Sequence, residues 1–397
     1  MNHKRILLKA IAVAALALPM ASATAQGRTG VVKIGINEML SGMFVTVGVP
    51  ASAGVRLAVK EINDKGGVSV GGTTYKFEIT EADNKSSTAD AVAAMNKLVN
   101  DDKIKFVFGP TVGALASQSQ EVVIPAKVIN FSAATTWQSG GMLAPSSKAT
   151  LLMGTQMAVS AISTIDIGAM KEYGVKKVAF ISPDDETTKA NMVPFETAAK
   201  AAGIEAIFIL HPPKTTDYSS FVTRAGGEKV DGIYFLYPQA NAPDILRAIV
   251  ELKIPIKVFG GRALDPQFAV KTAIGRPLPF PFYSTLNTPS IDYPGNAQVK
   301  AFAERLRAFD PKVVGSTANF VFFSYDFMHM LAEAMKIAGT VEDTERIGKV
   351  LTSMTYSGVA GKICYNNPAM RTASLDGGLI YVRDGKIEGK TFPSSCK

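Results

Sequence analysis

From Val31 onward the chain alternates short β-branched runs with stretches whose apolar residues recur at helical spacing. Val31-Val32-Lys33-Ile34-Gly35-Ile36 predicts a first strand, and residues 50–65 carry a helical stripe through Val55, Leu57, Ala58, Val59 and Ile62 that stops at Gly66-Gly67. Tyr75 to Ile79 predicts a second strand, Thr88 to Asn100 a helix, Lys105 to Gly109 a strand, Gly113 to Ile124 a helix and Val128 to Phe131 a strand. A second series follows Pro145. It has helices at Thr155 to Tyr173, Lys189 to Ala202, Tyr218 to Ala225 and Ala242 to Leu252, and strands at Lys177 to Ile181, Glu205 to Leu210, Gly232 to Tyr237 and Ile256 to Gly260. Strict β-α-β-α order calls for parallel sheets with helices on both faces, so the expected class is α/β with two doubly wound lobes.

The prolines of Gly275-Arg276-Pro277-Leu278-Pro279-Phe280-Pro281 break that order and predict an extended connection, read here as a crossing between lobes. Beyond it, helices are expected at Asn296 to Phe309, Ala318 to Ala338 and Thr344 to Met354, and a terminal hairpin turning at Asp384-Gly385. These late elements are too few for a third domain and are expected to complete the two lobes. The expected division is 26–147 plus 283–357 for the first lobe and 148–282 plus 358–397 for the second.

The first residues change the picture by suggesting a compartment. Lys4, Arg5 and Lys9, an apolar run from Ile11 to Leu18, Pro19, and the small residues Ala23-Thr24-Ala25 form the pattern of a secretory signal peptide over 1–25. The run is shorter than the ~20 apolar residues that a spanning helix needs. Without the basic residues of that leader the formal net charge drops from +8 to +5, and no Lys/Arg block appears, which argues against a polyanion partner. The expected location is therefore the periplasm. In that oxidising compartment the two cysteines of the chain, Cys364 and Cys396, predict a disulfide that ties the C-terminal tail to the body.

Chemistry-bearing motifs do not appear. The turn after Ile36 reads Asn37-Glu38-Met39-Leu40-Ser41-Gly42, which is not a dinucleotide fingerprint, and there is no P-loop, nucleophile elbow or zinc-protease motif. His211 and His329 are far apart, and the carboxylate pairs Asp101-Asp102 and Asp184-Asp185 sit where helix capping explains them. No catalytic residue, metal or cofactor is expected, and the chain reads as a binding protein and not an enzyme.

An ordered set of segments carries a resemblance. Val32 to Ile36 with Leu40-Ser41-Gly42 and Gly48, then Gly54 to Gly67, Asp83-Asn84, Asn96 to Val99, Phe108-Gly109-Pro110 and Ser132-Ala133-Ala134-Thr135 together resemble the leucine/isoleucine/valine-binding protein family of periplasmic receptors. The resemblance implies a type I binding-protein fold, with three crossings between lobes and a ligand in the cleft, delivered to an ABC-type permease by a receptor expected to be a monomer. Ligands of open α/β sheets lie beyond the carboxyl ends of the strands. The implied ligand-binding residues are Ser41, Val47, Gly113, Ala114, Ala133, Ala134, Thr135, Trp137, Thr187, Pro238, Gln239 and Arg262. The helix start at Gly113 and Ala114 would receive a carboxylate on free N–H groups. In the second lobe, Thr187 and Pro238-Gln239 stand where the family has tyrosines, and Arg262 stands where it has an acid for an α-ammonium. A guanidinium there favours an anion, so an organic acid, aromatic or dicarboxylic, is expected in preference to an amino acid, with Trp137 placed to stack on it. A branched-chain amino acid receptor proper, a soluble sensor and a secreted hydrolase remain the alternatives. A sensor would need a tether, a repressor of the same fold a DNA-binding start, and a hydrolase an oriented nucleophile.

Overall fold

The computed structural model describes residues 28–133, 151–154, 159–213, 215–236, 242–254, 256–261, 278–286, 297–311, 313, 318–365, 374–375, 377–383, 386–392 and 396. In chain order the elements begin β1 (Arg28–Glu38), α1 (Val45–Asp64), β2 (Val68–Val70), β3 (Thr73–Asp83), α2 (Thr88–Asn96), β4 (Phe106–Phe108), α3 (Gly113–Val123), β5 (Ile129–Ser132) and β6 (Leu152–Gly154). Next come α4 (Val159–Glu172), β7 (Lys177–Pro183), α5 (Glu186–Ala202), β8 (Glu205–His211), α6 (Ser219–Gly227), β9 (Gly232–Phe235), α7 (Ala242–Glu251), β10 (Lys257–Gly260) and β11 (Phe282–Leu286). The chain closes with α8 (Ala297–Phe309), α9 (Ala318–Ala338), α10 (Thr344–Ser353), β12 (Thr355–Gly358), β13 (Gly361–Cys364), β14 (Ser374–Leu375), β15 (Gly377–Arg383) and β16 (Lys386–Phe392).

Two sheets carry the architecture. The first has the order β2-β3-β1-β4-β5-β6, parallel except for the β2–β3 pair. The second has the order β16-β15-β11-β10-β9-β7-β8, parallel from β7 to β11 and closed by the antiparallel β15 and β16. A small third sheet, β12-β13-β14, packs with the first: Val359, Ala360, Ile363 and Tyr365 join its core.

Both large sheets are covered on both faces, and the inner strands β4, β5 and β9 are accordingly buried throughout. In β7, Ala179 and Ile181 face the core shared with α6 and α7, whereas Val178 and Phe180 face the core shared with α4 and α5. In the first sheet, α1, α8 and α9 cover one face, where Phe131 stacks on Phe327 with centroids 3.8 Å apart. The other face packs on α2 and α3 through Met95, Leu98, Val107 and Ala116.

The chain passes from the first sheet to the second between Gly154 and Val159, back between Leu286 and Ala297, and over again between Leu375 and Gly377. The boundaries expected from sequence were 147/148, 282/283 and 357/358. The short strand β6 and the β12–β13 hairpin keep the chain with the first sheet for longer, and β11 keeps it with the second past Pro281. The described part of the proline run, 278–281, thus leads into β11 beside β10 in one sheet and is not a crossing. Cys364 of β13 is bonded to Cys396, beyond β16, with the Cα atoms 5.7 Å apart. This bond joins the sheet that packs with the first core to the tail that follows the last strand of the second.

The helix expected over Thr88 to Asn100 is regular only to Asn96. Lys97–Asp101 forms a π-type turn, so Asp102 N–H donates to the carbonyl of Lys97. No helix among the described residues is long and apolar enough to cross a membrane.

Candidate functional site

The carboxyl ends of β1, β4 and β5 meet in a cluster of buried polar side chains. Asn37, Glu38, Asn84, Thr111, Asn130 and Ser132 are all at most 4% exposed. Asn37 donates to the carbonyl of Ala91 at 2.8 Å and accepts from Asn84 at 3.1 Å, which ties β1 to the start of α2. Asn130 donates to the carbonyls of Val107 and Gly109, and Ser132 to the carbonyl of Pro110 at 2.6 Å. Thr111 donates its N–H to Glu38 Oε2 at 3.2 Å and its hydroxyl to Oε1 at 2.5 Å.

Burial pushes the Glu38 carboxyl up to about 8, against the opposing pull of the Thr111 and Met39 hydrogen bonds. Near neutral pH the acid is mainly uncharged. The turn it holds leads directly into α3. The cap position of that helix is Val112, whose side chain supplies no capping hydrogen bond, and its first turn contains no acidic residue. The result is a helix N-terminus with donors available for an anion and no ionised carboxylate in the turn that supports it.

Beside this lies the loop that follows β1. Ser41 donates its hydroxyl to Asp83 Oδ2 at 2.6 Å, while Leu40, Ser41 and Lys85 N–H groups donate to Oδ1. Burial raises the Asp83 carboxyl, but these hydrogen bonds outweigh it and hold it below the usual carboxylate range. Ser86 closes the ring, donating to the carbonyl of Ser41 and accepting from Phe44 N–H.

At the carboxyl ends of the second sheet, Asp185 caps α5 by accepting from Thr188 N–H at 2.8 Å, and Thr188 Oγ1 reaches Ser182 Oγ at 3.3 Å. Tyr234 donates to Asp166 at 2.7 Å beneath Gly261. His211 ends β8 against the ring edge of Tyr218, and burial lowers its pKa.

Among the residues expected from sequence, Gly113 and Ala114 open α3, and Ala133 follows β5, buried in the core of the first sheet. Val47 packs against Met39, Ala91 and Leu115 near the same strand ends, and the Ser41 hydroxyl is directed to Asp83. Thr187 belongs to the first turn of α5. Ala134, Thr135, Trp137, Pro238, Gln239 and Arg262 lie outside the described residues. Sequence reasoning did not single out Asn37, Glu38 and Asn130 as members of this cluster. The available signal was two consecutive polar residues, Asn37-Glu38, directly after the buried run Ile34-Gly35-Ile36.

The sequence profile of the periplasmic binding proteins matches residues 31–383. The chain belongs to the periplasmic binding protein family. It is 27% identical over 345 residues to a Leu/Ile/Val-binding protein of Rhizobium johnstonii, covering 84% of this chain and 87% of that one. Among solved structures, this periplasmic binding protein is similar to the branched-chain amino acid transporter substrate binding protein LivJ of Streptococcus pneumoniae, in complex with isoleucine. That match has a TM-score of 0.74 and 21% identity, over 91% of this chain and 99% of that one. A solute binding protein of an ABC transporter from R. palustris, in complex with 4-hydroxybenzoate, matches with a TM-score of 0.75 and 20% identity, over 92% of this chain and 98% of that one. The fold is that of the type I periplasmic binding proteins.

Proposed function

We propose that this protein is the extracytoplasmic receptor of an ABC importer and that it captures a small organic acid, aromatic or dicarboxylic, between its two lobes. On this reading it performs no catalysis and needs no cofactor, its leader directs it to the periplasm, and its partner is the importer's permease. On this reading the first lobe would be built on β1 to β6 together with the small sheet β12 to β14, and the second on β7 to β11 with β15 and β16. The observation that carries the reading is the N-terminus of α3, without a side-chain cap and supported by an acid that is mainly neutral. Isoleucine and 4-hydroxybenzoate, the ligands of the two similar structures, both carry a carboxylate, the group such a site would take. Arg262 after β10 adds the preference for a second anionic or carbonyl-rich group over an α-ammonium, with Trp137 as the stacking surface. Closure would follow as a population shift toward the form that binds ligand from both lobes.

A second reading, a receptor for branched-chain amino acids, is favoured by the names of the curated relatives. One experiment separates them: a thermal-shift screen of the mature protein against isoleucine, leucine, benzoate, 4-hydroxybenzoate and dicarboxylic acids. A ligand at 100 times its Kd stabilises by about 2.7 kcal/mol. A shift with the acids that lack an α-amino group supports the first reading, a shift confined to isoleucine and leucine replaces it with the second, and no shift with any carboxylate overturns both.

A further inference from the structure

The turn Gly109–Thr111 is held at every residue by a partner on β1 or β5. Gly109 N–H donates to the carbonyl of Phe131 at 2.7 Å, and Asn130 donates to the Gly109 carbonyl at 2.7 Å. Ser132 donates to the Pro110 carbonyl. Thr111 gives both its donors to Glu38. The Gly109 backbone has φ +87°, and a Cβ there would stand 2.2 Å from the Asn37 carbonyl and 2.5 Å from Glu38 Oε1, so the turn is seated directly on the end of β1.

We propose that Glu38 is a positioning residue for ligand binding: its carboxyl grips the backbone and hydroxyl of Thr111 and thereby fixes the direction in which the first N–H groups of α3 are presented to a ligand carboxylate. The proposal rests on the receptor reading above and extends it to a residue that need not touch the ligand. Asn130 and Ser132 hold the carbonyls upstream in the turn, and among the described residues it is Glu38 that holds the residue immediately before the helix cap. Its register partner on β3, Asp83, does not compete for Thr111, because its carboxylate is given to Leu40, Ser41 and Lys85. A buried acid is an expensive way to hold a turn unless it stays neutral, and the neutral carboxyl also spares an incoming anion from repulsion.

The test uses Glu38→Ala, Glu38→Gln and Thr111→Val, with hydrogen exchange of the 111–114 amides read by mass spectrometry and probe affinity read by calorimetry with 4-hydroxybenzoate and isoleucine. Glu38→Ala should speed exchange across 111–114 at least 10-fold and weaken whichever probe the wild type binds at least 10-fold. Glu38→Gln, whose amide can accept from Thr111 N–H and donate to Oγ1, should rescue both. Leu351→Ala, a cavity variant in α10 away from the turn, should lower the melting temperature while keeping wild-type affinity. Wild-type exchange and affinity in Glu38→Ala, or a Gln variant as impaired as Ala, would overturn the proposal. If Glu38→Ala does not fold, Thr111→Val takes its place, with faster exchange and weaker binding expected and no change in either overturning the inference. If the wild type binds neither probe, the carboxylate screen above decides the receptor reading, and wild-type exchange across 111–114 in Glu38→Ala still overturns the role of Glu38.

Discussion

The hairpin of β12 and β13 offers a sharp test of how the small sheet is fixed to the first lobe. Its turn residues Val359 and Ala360 donate their N–H groups to the buried carboxyl of Asp326 on α9, at 2.9 and 2.6 Å. Burial pushes that carboxyl up to about 7, with the two N–H groups pulling it back. Gly358 lies flush against it: a Cβ there would be 2.3 Å from Cγ and from both oxygens. Gly358→Ala must therefore drive the carboxyl off the turn. Two buried N–H groups would then lose their acceptor at about 1–3 kcal/mol each, so about 4 kcal/mol in total is expected. Asp326→Ala orphans the same two N–H groups and should cost a similar amount. The double variant should not cost about 8 kcal/mol but about 4, since the new methyl enters the space that the carboxyl vacated. Urea unfolding of the four proteins, with m values compared to check that the unfolding unit is the same, measures the coupling. Costs that add to within about 0.5 kcal/mol would refute the steric account.

Three further outcomes follow from the same structure. Replacing Cys364 and Cys396 together by alanine opens a loop of sequence separation 32, and the chain-entropy estimate gives a loss of about 4 kcal/mol, read by denaturant unfolding under oxidising conditions; a loss under about 1 kcal/mol would mean the unfolded chain gains little freedom. His329 is kept neutral by burial, its pKa pushed down to about 4 from 6.5, so its contribution is full above pH 6.5 and is lost as pH falls toward 4, by at most about 3 kcal/mol; His329→Phe should flatten the acid limb relative to wild type, and identical limbs would refute this. Gly109→Ala, forced to a left-handed φ with its methyl against the Asn37 carbonyl, should cost about 3 kcal/mol and weaken carboxylate binding, and a wild-type melting temperature would show that the turn can yield.

What was legible in the sequence was what repeats along it. Strands such as Lys177–Pro183 and helices such as Ala318–Ala338 announce themselves because both faces of a covered sheet demand continuous apolar runs, and amphipathic stretches must pack on them. The elements that escaped lack that signal. β6 is three residues long beside a longer helical pattern, β11 directly follows a proline run that read as a crossing, and β12 alternates between exposed and half-buried residues. Those same elements fix where the chain changes sheets, so the topology was clear before its boundaries were. The candidate site divides in the same way. Strand-end loops could be named from topology, which placed Gly113 and Ala133 at the carboxyl ends of strands in the first sheet. The grip of Glu38 on Thr111 joins residues 73 apart, and the bonds from Asn130 and Ser132 run to carbonyls 21 and 22 residues away. No local period encodes such pairs. They become visible only when parallel pairing sets β1, β4 and β5 side by side and forces each buried polar group to find a partner there. The residues that hold the turn before α3 are therefore the ones a single sequence hides best, because they act through hydrogen bonds to backbone and not through a motif.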